Sequence, residues 1–231
     1  GPINESRKKV SDECCAAAKR ERGFFTLSVP TGGGKTLASL RFALHHALRF
    51  ERTPRKIDRI LYVIPYTSII DQNAQVARDI LEPPHERNQV VLESHSNLPE
   101  ERESWRSRLL TENWDAPIVF TTSVQFLEAL FGGGTRSVRR MHQLANAIVI
   151  FDEIQTLPVR TVHMFCNALN FLVDHCGTST VLCTATQPLL HKVDGGLGSL
   201  RCSEKDEIVQ DVPALFEAFR RVEVIDRTRP K

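Results

Sequence analysis

The chain has 231 residues, of which 41% are hydrophobic and 25% charged, and its formal net charge is +2. Domains usually contain about 100–200 residues, so this length favours one large domain with a full core over two small ones. The small net charge leaves nucleic-acid binding open. The lack of an apolar run of roughly 18 residues excludes a membrane-spanning helix and predicts no membrane partner.

In chain order, a polar lead-in is followed by alternating strand and helix patterns. Residues 1–22 predict a helical segment, which opens on a Gly-Pro pair typical of a tag-removal scar, and residues 23–231 predict one domain. The expected strands are 24–29, 59–65, 89–94, 117–122, 147–153 and 180–186, with a weaker one at 220–225. The clearest helices are expected at 37–50 and 159–176.

These strand patterns are almost continuously apolar instead of alternating. A strand reads this way when both of its faces are covered, as in a parallel sheet between two layers of helices. The sequence therefore predicts an α/β fold with a mostly parallel sheet flanked by helices on both faces. In such folds ligands bind at the carboxyl ends of the strands.

The six cysteines show neither a CxxC pairing nor a spacing suited to zinc: Cys14, Cys15, Cys166, Cys176, Cys183 and Cys202. This usage is typical of reduced, mostly buried thiols, since disulfides persist mainly in oxidising compartments. We therefore expect a cytoplasmic protein.

The segment SVPTGGGKT (28–36) lies between a predicted strand and a predicted helix. Glycines allow consecutive backbone N–H groups to turn inward around an anion, and the helix start adds partial positive charge. We expect Lys35 to reach the β- and γ-phosphates of ATP and the Thr36 hydroxyl to bind Mg²⁺. Val29 stands where the strict pattern has glycine, and a chance glycine-rich turn is the alternative. The predicted nucleotide-binding residues are Pro30, Thr31, Gly32, Gly33, Gly34, Lys35 and Thr36.

Acidic and hydroxyl residues end two other predicted strands. In AIVIFDEI, Asp152 is expected to bind Mg²⁺ and Glu153 to polarise the water that attacks the γ-phosphate. The alternative is two acids that merely cap a strand. The hydroxyls of Thr184-Ala185-Thr186 are expected to sense the γ-phosphate and relay its presence, although threonine is ordinary in strands.

In this order, PTGGGKT, IPYTSIIDQNA, FTTSVQFLEALF, FDEIQTLP and TATQP resemble the first RecA-like domain of a superfamily-two DExH helicase. Gln155 stands where many relatives have histidine, and FDEIQTLP is most similar to the CRISPR-associated helicase-nuclease of type I interference. The resemblance implies a RecA-like P-loop NTPase fold with ATP and Mg²⁺ as cofactors. It assigns Lys35 and Glu153 to catalysis, with Gln155 linking the γ-phosphate site to the threonine segment and a partner domain.

The same resemblance implies residues that contact single-stranded DNA: Pro65, Tyr66, Thr67, Ser68, Thr121 and Thr122. Hydroxyl and N–H groups grip phosphates without reading bases, which suits a motor. Helix capping is the alternative for these threonines and serine, and the two roles are compatible. Either a wider basic track or a solvated surface fits Arg55, Lys56, Arg136, Arg139 and Arg140. Asn4 and Arg7 resemble the upstream segment that recognises adenine.

The expected function is the ATP-binding half of a motor that moves along single-stranded DNA in antiviral defence. Its implied partners are a second RecA-like domain, a histidine–aspartate (HD) nuclease domain and an RNA-guided surveillance complex. The chain has no His-Asp dipeptide, only the reversed Asp174-His175, so no nuclease site is expected here. Without the arginine of a second domain, ATP hydrolysis should be very slow. The alternatives are a DExH helicase of another process, including one acting on RNA, and a docking module without useful turnover.

Overall fold

Six parallel strands form one sheet in the computed structural model, which describes residues 1–83, 90–95 and 110–220. The strands are β1 (Phe24–Ser28), β2 (Arg59–Ile64), β3 (Val91–Ser94), β4 (Ile118–Thr122), β5 (Ala147–Asp152) and β6 (Ser179–Thr184). The helices are α1 (Pro2–Ala17), α2 (Lys35–Phe50), α3 (Thr67–Leu81), α4 (Ser123–Phe131), α5 (Thr135–His142), α6 (Val162–His175) and α7 (Val212–Ala218).

The predicted α/β class and parallel sheet are confirmed. Each of the six main predicted strands is present, with ends that differ from the prediction by no more than two residues. The helix predicted from residue 37 begins at Lys35, and the one predicted from 159 opens with a 3-10 turn at Val159–Thr161. Most of the weak strand predicted at 220–225 lies outside the described residues.

The order of the strands across the sheet is β1-β6-β5-β2-β4-β3. Because every pair is parallel, the carboxyl ends of all six strands lie at one edge of the sheet. Ser28 is in register with Thr184, and Asp152 with Cys183, so the segments after β1, β6 and β5 are neighbours. The segments after β2 and β4 are neighbours as well, since Ile64 is opposite Thr122.

The sheet separates two hydrophobic cores, as the near-continuous apolar strands predict. In β2, Ile60, Tyr62 and Ile64 point into the core that α1, α2 and α3 cover, whereas Leu61 and Val63 point into the core beneath α4 and α6. The period of two along a strand accounts for this division. Since α1 contributes Val10, Cys14 and Ala17 to the first core, the predicted lead-in packs together with the rest of the fold. Within the described ranges, no helix has both the length and the apolarity needed to span a membrane.

A buried histidine joins α2 to the sheet and to the end of α1. His46 Nδ1 lies 2.9 Å from the carbonyl oxygen of Ala18, and Nε2 lies 3.0 Å from Ser179 Oγ. The neutral ring satisfies both contacts if Nδ1–H donates and Nε2 accepts from the serine. Phe42 stacks on the ring at 5.2 Å between centroids. Burial lowers the pKa of His46 below its ordinary value of 6.5, because a charged ring would lose its hydration here.

We predict that this histidine makes the fold less stable in mild acid. Above pH 6.5 the ring is neutral in both states, and below it the unfolded chain binds the proton more readily than the folded one. The free energy of unfolding should therefore fall as the pH drops below 6.5, by at most about 1.4 kcal/mol per pH unit from this group.

Urea unfolding of the wild type and of His46→Gln between pH 5 and 8 measures this slope. The substitution should flatten the slope, whereas the same change at the exposed neighbour, His45→Gln, should leave it as in the wild type. Equal slopes in the wild type and His46→Gln would contradict the assignment.

Candidate nucleotide-binding site

The P-loop (residues 30–36) follows β1 and makes a turn that requires glycine. Gly32 and Gly34 have φ angles of 83° and 84°, in the left-handed region that other residues rarely adopt. A Cβ on Gly33 would lie 2.9 Å from the carbonyl oxygen of Pro30, which accepts a hydrogen bond from the Gly33 N–H. Pro30 is buried, whereas Thr31 and Gly32 are exposed at the tip of the turn.

Helix α2 begins at Lys35, directly after this turn. Gly34 occupies the N-cap position, and no side chain caps the first turn of the helix. The orphan N–H groups of that turn and the partial positive charge of the helix end therefore favour an anion beside the loop. Lys35 and Thr36 open the helix, and both are partly buried.

Lys35 lies against the two acids at the end of β5. Its Nζ forms an ion pair with Glu153 and lies 3.7 Å from Asp152 Oδ1. Lys35 and Glu153 are 118 positions apart in the sequence, and only the parallel order β1-β6-β5 brings them together. The structure thus unites the predicted phosphate loop and the predicted acidic pair in one site.

Burial and hydrogen bonding act differently on the two carboxyl groups. Burial raises the pKa of Asp152 above its ordinary value, against the attraction of Lys35. Burial also acts to raise the pKa of Glu153, but hydrogen bonds from Lys35 and Gln155 outweigh it, and the pKa of Glu153 is lowered. Glu153 is therefore ionised at neutral pH, which a group that accepts a proton from water requires.

A chain of hydrogen bonds leads from the acids to the end of β6. Gln155 Nε2 donates to Glu153 Oε2, and Thr184 Oγ1 donates to Gln155 Oε1. The Thr186 N–H in turn donates to Thr184 Oγ1 over 2.9 Å, with the half-buried Ala185 between the two threonines. The three residues predicted to relay the state of the γ-phosphate therefore lie next to Gln155.

Tyr62 supports the P-loop from below, a role that was not predicted from the sequence. Its hydroxyl donates to the Thr36 carbonyl oxygen over 3.0 Å and lies 2.7 Å from Ser39 Oγ. The ring is buried in β2 and stacks on Phe120. The available signal was a side chain with one polar atom in the otherwise aliphatic run ILYVI (60–64), because a buried hydroxyl needs a partner.

Glu207 anchors the strand that leads into the loop. Its carboxylate accepts hydrogen bonds from the Ser28 N–H at 3.1 Å, from Ser28 Oγ at 2.7 Å and from Thr26 Oγ1 at 2.9 Å. Nothing in the sequence around Glu207 points to this role, since the contact joins residues about 180 positions apart.

Arg7 reaches the P-loop from α1. Its Nε donates to the Gly32 carbonyl oxygen over 2.9 Å, and its side chain lies close to Gly34. The structure therefore places Arg7 at the loop. The predicted adenine contact of Asn4 and Arg7 stays a prediction, and Asn4 is exposed in the first turn of α1.

The residues predicted to contact nucleic acid lie in two neighbouring segments at the same edge as the P-loop. Pro65 and Tyr66 join β2 to α3, where Tyr66 is 55% exposed and Thr67 and Ser68 form the first turn. The second segment, Thr121-Thr122, ends β4 opposite the end of β2.

The hydroxyls of this second segment have partners within the fold. Thr121 is fully buried, and its Oγ1 donates to the Ser94 carbonyl oxygen over 3.0 Å. Thr122 is the N-cap of α4, where its Oγ1 accepts from the Gln125 N–H over 3.1 Å. The capping alternative is therefore confirmed for Thr122, and the contact with nucleic acid stays a prediction.

The basic residues considered for a wider track do not share one environment. Arg55, Lys56, Arg136 and Arg139 are exposed. Arg140 is only 6% exposed, so neither of its two alternatives, a surface track or a solvated surface, is correct. It points inward from α5 because backbone carbonyl oxygens and a glutamine side chain accept its hydrogen bonds.

Comparisons with known proteins agree with this geometry. The DEAD/DEAH box helicase family profile matches residues 8–193. The CRISPR-associated nuclease/helicase Cas3 of Haloferax volcanii is 31% identical over 227 residues, which cover 85% of this chain and 23% of that protein. The chain thus spans about a quarter of the length of this relative.

Two solved structures show the same fold. The crystal structure of T. fusca Cas3 with ATP matches with a TM-score of 0.59 and 19% identity over 96% of this chain and 23% of that chain. The DUF1998 helicase MrfA bound to DNA matches with a TM-score of 0.53 and 15% identity over 83% of this chain and 26% of that one. The predicted RecA-like helicase fold is confirmed, and the chain belongs to the DEAD/DEAH box helicase family.

Proposed function

We propose that the chain is the ATP-binding half of an ATP-dependent motor that moves along single-stranded DNA and unwinds duplexes in CRISPR antiviral defence. The contact of Lys35 with Asp152 and Glu153 carries this proposal, since it unites a phosphate-binding loop with two acids. The similarity to Cas3 supports the choice of process.

The residues of the site fit a magnesium–triphosphate group. A Cβ on Gly33 would collide with Val29 and Pro30, so the tight turn requires glycine there, and the uncapped start of α2 suits phosphate oxygens. Thr36 and Asp152 offer a hydroxyl and a carboxylate, which are ligands that Mg²⁺ prefers. The ion, when bound, would offset the charge of the phosphates.

The side chains of the site have distinct roles in this proposal. Lys35 binds the β- and γ-phosphates. To do so it must break its ion pair with Glu153. The freed Glu153 carboxylate then orients a water molecule and accepts its proton. Gln155, which bridges Glu153 and Thr184, transmits this change to Thr184-Ala185-Thr186 and to a partner domain.

Nucleic acid would bind at the neighbouring ends of β2 and β4. Pro65, Tyr66, Thr67 and Ser68 on one side, and Thr121-Thr122 on the other, offer backbone and hydroxyl groups to phosphates. MrfA, a structural neighbour, is bound to DNA. Thr121 has no exposed surface and Thr122 is 8% exposed, so we expect Thr122 to supply the hydroxyl and Thr121 to support the turn from beneath.

A complete motor needs more than this domain. We propose a second RecA-like domain, an HD nuclease domain and an RNA-guided surveillance complex as partners, since the chain spans only 23% of its Cas3 relative. The second motor domain would supply an arginine to the γ-phosphate, and such an arginine raises the rate of hydrolysis about 10³–10⁵-fold.

We propose that the protein is cytoplasmic. Its six free cysteines support this location, because thiols stay reduced in that compartment.

We predict that Lys35→Ala in the natural full-length protein abolishes ATP-driven unwinding. A loss of about 3 kcal/mol of phosphate stabilisation already slows the reaction more than a hundredfold. Unwinding of a fluorescent duplex and steady-state ATP turnover measure the effect. Lys19→Ala, which removes an exposed lysine near the end of α1, is the matched control and should retain both activities.

Wild-type unwinding by a folded Lys35→Ala variant would contradict the role of Lys35. If the unsubstituted protein neither turned over ATP nor unwound the duplex, and Lys35→Ala left its function intact, a docking module would be indicated instead. If RNA but not DNA stimulated ATP turnover of the unsubstituted protein, the choice of DNA would be wrong while the motor function would stand.

We also predict that Thr184→Val uncouples hydrolysis from nucleic acid. The substitution keeps the shape of the side chain but removes the donor to Gln155, so DNA-stimulated ATP turnover should fall about tenfold, or about 1.4 kcal/mol. The affinity for ATP should stay within about twofold, because Thr184 does not belong to the P-loop.

Thr180→Val is the matched control on the same strand. Thr180 Oγ1 is buried without a hydrogen-bond partner, so this change removes no bond and should leave turnover as in the wild type. Equal turnover in both variants would contradict the coupling role of Thr184.

A further inference from the structure

A buried polar cluster lies behind the second predicted nucleic-acid segment. This Arg140 cluster joins the ends of β3 and β4 to α4 and α5, and it consists of Ser94, Trp114, Thr121, Gln125 and Arg140. None of its members belongs to the nucleotide site, which lies at the ends of β1, β6 and β5. Its position below the start of α4 makes it a support for whatever binds there.

Arg140 is the centre of the cluster. Its Nη1 donates to Gln125 Oε1 and its Nη2 to the Thr111 carbonyl oxygen, each over 3.1 Å, while Nε donates to the Glu112 carbonyl oxygen over 3.2 Å. The guanidinium also lies 5.0 Å above the ring of Trp114. Burial lowers the pKa of Arg140 to about 10, so the group still carries its charge at neutral pH.

Gln125 links Arg140 to the end of β4 through hydrogen bonds. Its Oε1 accepts from Arg140 and from Ser94 Oγ, the latter over 2.9 Å. The Gln125 N–H donates to Thr122 Oγ1, and Thr121 Oγ1 donates to the Ser94 carbonyl oxygen. Both threonines are thus tied to residues of the cluster. A hydroxyl that accepts, as Thr122 does, keeps its own hydrogen to donate elsewhere.

The cluster is a costly way to fill this space. A buried cation whose hydrogen bonds go to carbonyl and amide oxygens loses hydration, and apolar side chains of similar volume commonly give a more stable core. Trp114, whose Nε1 donates to Ser94 Oγ over 2.9 Å, has a φ of 54°, which is strained for a bulky residue. Such cost and strain persist where they serve geometry at a functional site.

We propose that Arg140 is a positioning residue for nucleic-acid binding: it holds Gln125 and thereby sets the turn Thr121–Ser123 that contacts the phosphate backbone. The inference rests on the proposed function. It differs from a surface track, because Arg140 touches no phosphate itself and acts through the hydrogen bonds of its guanidinium.

The salt dependence of binding separates these two roles. Each phosphate that a cation contacts directly adds about 0.7 to the slope of log K against log salt for a single strand. Loss of a positioning residue weakens binding at every salt concentration alike. The test uses the full-length protein, labelled oligo(dT), Mg²⁺ and a non-hydrolysable ATP analogue, with anisotropy measured over a series of salt concentrations.

For Arg140→Ala we expect at least a tenfold weaker affinity for oligo(dT), an unchanged salt slope and an unchanged KM for ATP. Arg140→Lys should be equally weak, because a lysine keeps the charge but cannot make the same set of hydrogen bonds. Arg139→Ala, one residue away and exposed, serves as the comparison. If Arg139→Ala weakens the affinity for oligo(dT), the slope of log K against log salt should also become smaller.

Ser94→Ala is a milder second variant, used in case Arg140→Ala fails to fold, since it removes only a single hydroxyl from the cluster. Thermal melting checks that each variant is folded, and Ser94→Ala should weaken binding several-fold at an unchanged slope. Full affinity in the folded variants, full rescue by Arg140→Lys, or a slope reduced by about 0.7 in Arg140→Ala would each overturn the inference. If the unsubstituted protein failed to bind oligo(dT), the proposed function would fall, and this inference with it.

Discussion

The ion pair between Lys35 and the two acids at the end of β5 is the interaction on which the rest of the site depends. A single lysine at the start of α2 meets two carboxylates from the far half of the chain. The meeting requires β6 to lie between β1 and β5 with all three strands parallel, so that their carboxyl ends share an edge. The strand order of the sheet therefore fixes the position of Lys35 relative to Asp152 and Glu153.

In the proposed function, the same ion pair would connect nucleotide binding to the threonine segment Thr184-Ala185-Thr186. Glu153 is held by Lys35 on one side and by Gln155 on the other, and Gln155 is held by Thr184. In the proposed function, a triphosphate would replace Glu153 as the anionic partner of Lys35, so the lysine would not be left unpaired in a partly buried site. The replacement would release Glu153 and change which hydrogen bonds Gln155 can form. Glu153 also has a φ of 51°, which is consistent with a residue held in one arrangement by its neighbours.

The sequence patterns predicted the features that depend on neighbouring residues alone, namely the strands and the glycine turn of the P-loop. The apolar runs predicted the strands because burial on both faces leaves no alternation to read, and the glycines of the P-loop predicted the positive φ angles at Gly32 and Gly34. Contacts between distant segments were not predictable in this way. Glu207 holds the strand before the P-loop, and Arg140 turns inward from a helix of basic residues, because of partners that no window of sequence contains.

The most direct test is a crystal structure of the protein with Mg²⁺ and a non-hydrolysable ATP analogue. We expect Lys35 Nζ to leave Glu153 and to lie about 3 Å from an oxygen of the β- or γ-phosphate. We also expect Thr36 Oγ1 among the ligands of the ion, with Asp152 beside it. Phosphates bound away from the P-loop, or a Lys35 still paired with Glu153 while the nucleotide is bound, would contradict the proposed nucleotide site.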